Sequence, residues 1–273
     1  MSEWPQSLVL VGAGKMGEAM LRGWLAAGLE PRRLAILEPR PSPSIVALTS
    51  ELGVPLNPAA GFLSAPEALF LAIKPQTLDA AALDIAPLAA PGTLVLSILA
   101  GKRIADLQAR LPAAGAFVRV MSNTPAAVGR GASAGAATPA ATQRQRVWTQ
   151  SLMGAVGAFE WLDDEALIDA VTALSGSGPA YVFALVEAMA EAGEKIGLPA
   201  GLAMALARAT VEGAGELLHR EPDVSAGKLR ENVTSPGGTT AAALAELRSP
   251  DGLGALMTRA IAAAHRRAGE LSG

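Results

Sequence analysis

The segment that most limits how this chain can fold is a glycine-rich turn near its beginning. Apolar Leu8–Val11 precedes three glycines with the spacing G-x-G-x-x-G, and a helical pattern follows at once. Gly12 permits a tight turn, Gly14 lets the backbone approach a pyrophosphate, and Gly17 lets the helix pack close to the strand. Because a helix N-terminus also supplies unpaired N–H groups, the turn predicts a dinucleotide site. The residues predicted to contact the cofactor here are Gly12, Gly14, Lys15, Met16 and Gly17.

Apolar and helical segments alternate through the first half of the chain. Four more segments have the length and character of buried strands: 34–37, 69–73, 94–97 and 117–121. Helical patterns occur at 16–27, 44–52, 77–83 and 104–111. Strands that are apolar on both faces and alternate with helices are typical of a parallel sheet covered on both sides. The sequence therefore predicts an α/β domain of the Rossmann type.

The pattern changes after Trp161, and almost nothing beyond it has the character of a strand. Apolar residues at spacings of three and four predict a helix over 182–196. Further helical segments are 202–218, 241–247 and 253–271. We therefore predict a dinucleotide-binding domain over 1–161 and an all-α domain over 162–273. The α domain has too few charged residues for both sides of every helix to be exposed to water, which predicts a buried interface between subunits.

Composition excludes several classes of protein. The chain is 51% hydrophobic and 17% charged, so it can bury a sizeable core and is not intrinsically disordered. The net charge of −3, with no block of like charge, argues against a general nucleic-acid binder. The chain has no Cys, which excludes disulfides, cysteine zinc sites and thiol nucleophiles. No metal site is predicted.

The sequence also bears on location. The longest apolar stretch, 85–101, contains Pro87, Pro91 and Gly92 and falls slightly short of the ~20 residues that a membrane span needs. The first residues include Glu3 and no basic segment, unlike a secretory signal. We expect a cytoplasmic protein that does not cross a membrane.

Two charged residues at the end of the second predicted strand bear on the choice of dinucleotide. Glu38 follows Gly17 by 21 residues, the position from which an acid binds the ribose 2′-hydroxyl of NAD. A carboxylate there repels a 2′-phosphate, whereas Arg40 could hold one. The residue types favour NADH over NADPH, and two solvated loop charges remain the alternative.

The α domain offers no strong acid or base. His219 and His265 lie in helical stretches with ordinary polar neighbours, which favours structural or surface roles. A hydroxyacid dehydrogenase needs such a group to move the alcohol proton. A C=N substrate does not, because an imine is protonated from water and its iminium then accepts a hydride directly. The protein must orient it and donate a hydrogen bond to nitrogen.

Two segments of the second half combine glycine with hydroxyl groups and precede helices. They are SGSGPAY at 175–181 and TSPGGTT at 234–240. Backbone N–H groups at such helix starts form an anion site that a carboxylate would fit. Two ordinary N-caps with turn glycines are the structural alternative.

These segments together resemble those of pyrroline-5-carboxylate reductases, the enzymes of the last step in proline biosynthesis. The other matching segments are 11–16, 72–76, 97–101 and 119–125. The resemblance covers nearly the whole chain. The glycine-rich turn is shared by many dehydrogenases, whereas SGSGPAY and TSPGGTT are far more specific.

The resemblance implies a Rossmann domain followed by a helical domain that forms an intertwined dimer, with dimers often assembling into rings. It implies hydride transfer from NADPH or NADH to the C=N carbon of 1-pyrroline-5-carboxylate, giving L-proline. Ser235 and the amides of Gly237 and Gly238 would hold the substrate carboxylate. Thr240 would be the catalytic residue, a hydrogen-bond donor to the ring nitrogen. The other residues implied are Thr239 and Glu221 beside the substrate, and Ala72, Lys74, Pro75, Ala100 and Asn123 beside the cofactor.

Three positions leave questions open. Ser122 stands where the family usually has proline, which predicts a looser turn before Asn123. Glu38 stands where many members carry Ser, Asn or Asp followed by Arg, so the preference between NADH and NADPH is open. Lys74 could act as an acid through its side chain or contact the cofactor through its backbone.

Two other functions remain as alternatives. A β-hydroxyacid dehydrogenase would share the Rossmann-plus-helical layout, although the α domain offers it no obvious Lys or His base. A non-enzymatic nucleotide-binding module would keep the glycine-rich turn but leave the hydroxyl- and glycine-rich segments without a role.

Overall fold

The sheet of the first half is built around β1 (Leu8–Val11), in a computed structural model that describes residues 3–59 and 61–272. The other strands are β2 (Leu34–Leu37), β3 (Ala68–Leu71), β4 (Leu94–Ser97), β5 (Ala116–Met121), β6 (Gly131–Ala137) and β7 (Gly157–Trp161). They lie in the order β2-β1-β3-β4-β5-β6-β7. The first five strands pair in parallel, so their carboxyl ends meet at one edge of the sheet.

Helices cover both faces of the sheet, because successive side chains of each strand point to opposite faces. The helices are α1 (Lys15–Ala26), α2 (Pro43–Leu52), α3 (Leu78–Ile85), α4 (Ile104–Arg110) and α5 (Gln143–Gly154). α1, α2 and α5 pack on one face, where the Trp24 indole N–H donates to Leu152 O at 2.8 Å and the ring meets Phe70 edge-on. α3 and α4 pack on the other face through Leu78 and Leu107. This is the predicted doubly covered sheet.

The end of the sheet departs from the predicted wholly parallel arrangement. β6 runs antiparallel to β5, with Val118 opposite Ala137, and β7 pairs parallel to β6. Neither β7 nor α5 is among the elements predicted from the sequence. α5 escapes detection because its buried side is partly polar, with Gln145 and Thr149 among the residues it buries.

The chain divides into two compact units, one comprising residues up to Gly176 and those from His265 onward, the other Ser177–Ala264. The predicted boundary after residue 161 marks where the strands end rather than where the first unit ends. Residues 162–176 remain packed on the sheet, because Ile168 of α6 (Ile168–Val171) is buried and Arg119 of β5 forms an ion pair with Glu165 at 3.1 Å. Contacts with residues that are distant in the sequence hold this segment on the sheet. The helical pattern of the segment could not reveal those contacts.

The second unit is helical, as predicted. Its helices are α7 (Gly178–Lys195), α8 (Ala200–Arg220), α9 (Ala226–Asn232), α10 (Thr239–Leu247) and the first part of α11 (Leu253–Ser272). α7 and α8 approach through small residues, since a Cβ on Gly193 would lie 3.2 Å from the Ala203 Cβ. Across the described ranges, each helix is too short or too polar to cross a membrane.

Candidate cofactor and substrate sites

The glycine-rich turn after β1 has the geometry that its sequence predicts. Gly12 has φ +93°, and a Cβ there would lie 2.8 Å from the carbonyl of Ala72. A Cβ on Gly17 would overlap Gly12 O, so α1 reaches the strand only because this residue is glycine. Gly14 differs, because nothing lies within 4 Å of the place its Cβ would take. The turn thus leaves open the position where a ligand is expected to approach.

Backbone amides at the start of α1 supply an anion site. The N–H groups of Lys15, Met16 and Gly17 have no acceptor within the helix, since Glu18 N makes its first bond, to Gly14 O at 2.8 Å. The Lys15 side chain is exposed, whereas Met16 packs against the core. A ligand at this turn would therefore meet the backbone of Met16 and not its side chain. These amides and the open face of Gly14 fit a pyrophosphate.

Segments predicted to contact the cofactor follow neighbouring strands at the same edge. Glu38 follows β2, Gly12 follows β1, and Ala72 follows β3. Ala100 comes shortly after β4 and is exposed. Because β1 lies between β2 and β3, the order of strands reverses here, and such a switch point is where doubly wound sheets bind ligands.

The Glu38 carboxylate lies against the glycine-rich turn. Its Oε2 accepts a hydrogen bond from Ala13 N at 2.9 Å, and its Oε1 accepts one from Arg40 N at 3.0 Å. Each carboxylate oxygen has a second lone pair that can accept from a ribose hydroxyl. The Arg40 side chain is exposed and makes no ion pair within the described residues. The structure therefore brings the acid, and not this arginine, to the turn.

Asn57, which contacts Glu38, is not among the residues predicted from the sequence. The Asn57 side chain accepts from Glu38 N through Oδ1 and donates to Glu38 O through Nδ2, both at 2.8 Å. Asn57 also has a positive φ of +49°. The sequence signal that could have indicated this residue is the Asn57-Pro58 dipeptide, which is typical of a turn.

Lys74 and Pro75 lie just beyond β3. The Lys74 side chain is exposed, and its carbonyl accepts from Thr77 N at 2.9 Å and from Thr77 Oγ1 at 2.8 Å. Pro75 begins a short 3₁₀ turn that these bonds close. The fixed part of Lys74 is thus its backbone, and no contact of the side chain supports acid catalysis.

Asn123 and Ser122 are both buried and hydrogen-bonded. Asn123 Nδ2 donates to Ser175 O and Asn123 Oδ1 accepts from Ala132 N, each at 2.9 Å. Ser133 Oγ donates to Ser122 Oγ at 2.8 Å. Ser122 is held by this bond, and the looser turn expected from the missing proline stays a prediction. The Asn123 amide joins three segments of the first unit.

The SGSGPAY segment at 175–181 is not the loop that its glycines suggest. Thr172–Gly176 forms a π-helical turn that continues α6, and Ser177, whose backbone angles are also in the right-handed helical region, is the single residue between this turn and α7. A Cβ on Gly176 would lie 2.5 Å from the Met121 Cε. At Gly176, glycine therefore serves close packing on β5.

The TSPGGTT segment at 234–240 contains a tight turn before α10. Gly238 N donates to Ser235 O at 3.1 Å, and Gly237 has φ +69°, which only glycine adopts without strain. The Gly238 amide, predicted to hold a carboxylate, is therefore already engaged within the turn. The first amides of α10, those of Thr239 and Thr240, have no acceptor within the helix.

Three hydroxyl groups of this segment are available to a ligand. Those of Ser235, Thr239 and Thr240 have no hydrogen-bond partner within the described chain, and that of Thr240 is on a half-buried residue. By contrast, Thr234 Oγ1 donates to Arg230 O at 2.6 Å. A hydroxyl at the start of a helix has no helical carbonyl four residues earlier to receive its proton.

Glu221 and His219 are not joined to this segment. Glu221 is the C-cap of α8 and has an exposed side chain, and His219 and His265 are exposed on helices. Neither Glu221 nor His219 makes a hydrogen bond or ion pair with residues 235–240 in the part of the chain that the structure describes.

Comparison with known proteins covers both halves of the chain. Residues 165–271 match a family model described as pyrroline-5-carboxylate reductase dimerisation, and residues 7–101 match one described as NADP oxidoreductase, coenzyme F420-dependent. A pyrroline-5-carboxylate reductase from Pisum sativum is 38% identical over 97% of this chain and 96% of its own. This chain belongs to the pyrroline-5-carboxylate reductase family. A Pseudomonas aeruginosa member is 37% identical over the same shares.

Solved structures of the family agree with the fold. A pyrroline-5-carboxylate reductase from Coxiella burnetii superposes with a TM-score of 0.90 at 32% identity, covering 98% of this chain and 99% of that one. One from Plasmodium falciparum, solved with NADP bound, gives a TM-score of 0.78 at 25% identity and covers 98% of each chain. The predicted family, the α/β-plus-helical fold and the oxidoreductase class are confirmed.

Proposed function

We propose that this protein is a pyrroline-5-carboxylate reductase that reduces 1-pyrroline-5-carboxylate to L-proline with a nicotinamide dinucleotide. The observation that carries the proposal is the match to a named reductase over 97% of this chain and 96% of the relative, at 38% identity. A match of that extent includes both the glycine-rich turn and the TSPGGTT segment. The alternatives of a β-hydroxyacid dehydrogenase and of a binding module have no comparable support.

The substrate carboxylate is assigned to the segment before α10. Ser235 supplies a free hydroxyl, and Gly237 a backbone amide that is not engaged in the turn. The unpaired amides of Thr239 and Thr240 add the partial positive charge of a helix N-terminus. Gly238 shapes the turn, because its own amide bonds to Ser235 O at 3.1 Å. Glu221 remains a prediction for the substrate side with no contact to support it.

Thr240 is assigned to the ring nitrogen of the substrate. A reduced nicotinamide supplies the hydride that forms the new C–H bond at the C=N carbon. Water protonates the imine nitrogen, the hydride adds to the C=N carbon of the resulting iminium, and the π electron pair becomes the lone pair of the nitrogen. The Thr240 hydroxyl donates a hydrogen bond to the nitrogen of the neutral imine and accepts one from the N–H of the iminium. Because the hydroxyl carries no charge, it orients the ring without repelling the iminium.

The cofactor side is assigned to the edge of the sheet around β1. The amides of residues 14–17 and the open face of Gly14 bind the pyrophosphate, and Ala72, Pro75 and Ala100 line the adjacent strand ends. Asn123 acts by holding the segments around it, since its amide is bonded to the protein on both sides.

We assign the preference between cofactors to Glu38, which favours NADH. Its carboxylate is fixed by Ala13 N at 2.9 Å beside the turn, where it would accept from a ribose 2′-hydroxyl and repel a 2′-phosphate. Arg40 would bind such a phosphate only by bringing its exposed side chain back towards Glu38.

Self-association belongs to the same proposal. Residues 165–271 match the dimerisation model of the family, and α7 and α8 expose apolar side chains that a second copy would cover. Assembly of dimers into a ring and location in the cytoplasm remain predictions from the resemblance and the sequence.

The test is a comparison of the two cofactors with one substrate. Purified protein is mixed with 1-pyrroline-5-carboxylate, the consumption of NADH and NADPH is followed by absorbance in parallel, and proline is measured. Proline formation with faster turnover of NADH is expected. Oxidation of 3-hydroxyacids with NAD or NADP would instead favour the dehydrogenase. Nucleotide binding with no turnover of either substrate would favour the binding module.

A further inference from the structure

The edge of the sheet at β2 carries a short extension that leads to Glu38. Ile36 N donates to Pro55 O at 2.9 Å, and Asn57 N donates to Ile36 O at 2.8 Å. Residues 55–57 therefore run beside the outermost strand in the manner of a parallel strand. The next bonds of a parallel ladder would join Glu38 N to Asn57 O and Ala59 N to Glu38 O, and neither forms between these described residues.

The side chain of Asn57 continues the ladder in place of the backbone. Glu38 N donates to Asn57 Oδ1 and Asn57 Nδ2 donates to Glu38 O, both at 2.8 Å. A carboxamide has the same donor and acceptor arrangement as a peptide unit, so it replaces one. The φ of +49° turns the chain away at this point, and asparagine tolerates that conformation better than most residues.

These bonds fix the backbone from which the Glu38 carboxylate extends. The N–H and carbonyl of Glu38 bond to Asn57, Oε2 bonds to Ala13 N at 2.9 Å, and Oε1 bonds to Arg40 N at 3.0 Å. We propose that Asn57 is a positioning residue that holds Glu38 beside the glycine-rich turn and thereby sets the preference for a dinucleotide with a free ribose 2′-hydroxyl over one with a 2′-phosphate. This inference rests on the proposed role of Glu38.

The effect of losing Asn57 differs in sign for the two dinucleotides. A displaced carboxylate no longer accepts from the ribose hydroxyl of NADH, which weakens NADH binding. The same displacement removes the repulsion of a 2′-phosphate, which leaves NADPH binding equal or tighter. A general loss of order at this edge would instead weaken both. The ratio of the two dissociation constants therefore separates positioning from mere structural support.

The test uses Asn57→Gly, which removes the carboxamide and keeps a residue suited to positive φ. Kd values for NADH and NADPH are measured by nicotinamide fluorescence in the absence of substrate. The Kd for NADH is expected to rise about fivefold, the scale of one net hydrogen bond, with that for NADPH unchanged or lower. Asn57→Asp keeps the acceptor for Glu38 N, and its Kd for NADH should fall between those of the wild type and Asn57→Gly.

Two controls separate the possible failures. Thr142→Ala removes the N-cap of α5 in the same unit and should leave both Kd values unchanged. Glu38→Ser tests the proposed role of Glu38 directly, and it should shift the ratio towards NADPH. If Glu38→Ser shifts the ratio but both Asn57 variants leave it at the wild-type value, or change both Kd values by one factor, the inference about Asn57 is wrong. If Glu38→Ser leaves the ratio unchanged, the role of Glu38 and the inference are both wrong.

Discussion

Among single residues, Thr240 gives the most direct test of the chemistry. Thr240 is half-buried, and Thr240→Ala removes a hydroxyl that has no hydrogen-bond partner within the described chain. Loss of one hydrogen bond in the transition state costs about 2 kcal/mol, so we expect kcat to fall about thirtyfold. Thr240→Ser should restore most of the rate, and the Kd for NADH should stay at its wild-type value in both variants. Steady-state kinetics and a cofactor titration provide these numbers.

Thr258→Ala is the matched control for that prediction. Thr258 lies on α11 of the same unit, is exposed, and donates its hydroxyl to Gly254 O of its own helix at 2.9 Å. Its substitution should leave kcat unchanged. Equal rates for Thr240→Ala and the wild type would remove Thr240 from the mechanism.

The glycines of the turn after β1 should differ sharply in what their substitution changes. Gly14→Ala places a methyl group in open space, so the melting temperature should stay near that of the wild type. The same methyl group occupies the approach of the pyrophosphate, and the Kd for NADH should rise at least tenfold. Gly17→Ala forces the methyl group onto Gly12 O and should lower the free energy of unfolding by about 1–3 kcal/mol.

Thermal melting and nucleotide titration of the two variants check this pair. A Gly14→Ala protein that binds NADH as the wild type does would show that the turn does not approach the pyrophosphate. A Gly17→Ala protein of wild-type stability would mean that α1 can move away from the strand at little cost.

At the scale of elements, a buried ion-pair cluster holds the segment that follows β7. The Arg119 side chain, only 4% exposed, lies 3.1 Å from Glu165 Oε1 and 3.8 Å from Asp169 Oδ1. Asp169 Oδ1 also accepts from Ser272 Oγ at 2.8 Å, and Glu165 Oε1 accepts from Ile104 N at 2.8 Å. This cluster explains why residues 162–176 belong with the sheet although they contain no strand.

Arg119→Leu should destabilise the first unit by leaving two partly buried carboxylates without their partner. Removing one member of a buried pair costs about 3–5 kcal/mol, and partial exposure of both carboxylates reduces this to about 2–3 kcal/mol here. Arg119→Leu with Glu165→Gln should recover part of the loss, because one uncompensated charge is gone. Urea unfolding of the three proteins measures the difference. A double variant no more stable than the single one would contradict the assignment.

An element could be predicted from the sequence where the residues that determine it are neighbours in the chain. β1, β2 and β4 were predictable residue by residue because they are apolar on both faces, and the turn after β1 carries its own spacing of glycines. The π-helical turn at Thr172–Gly176 was not, since Gly176 is required by Met121, 55 residues earlier in the chain. Asn57 was not predicted for the same reason, because the residue that it fixes, Glu38, lies 19 residues earlier in the chain.

At the scale of the whole molecule, the two units differ in how much apolar surface they bury. The first unit contains two apolar clusters, one on each face of the sheet. In the second unit, Ser177–Ala264, three apolar side chains are buried, and all are alanines: Ala190, Ala203 and Ala207. Phe183 is 64% exposed and Leu206 is 50% exposed. A unit with so small a core needs a second copy to cover its helices.

A charge placed on this apolar surface should therefore separate the subunits. Phe183→Asp is expected to halve the mass measured by light scattering during gel filtration, or to reduce it further if the wild type is a ring of dimers. The helical signal should also melt at a lower temperature, because α7 and α8 lose the cover of the second copy. Leu83→Asp is the control: Leu83 is 80% exposed on α3 of the first unit, and its substitution should change neither mass nor melting. An unchanged mass for Phe183→Asp would mean that the second unit is covered in some other way, and the subunit contact would have to be sought away from α7.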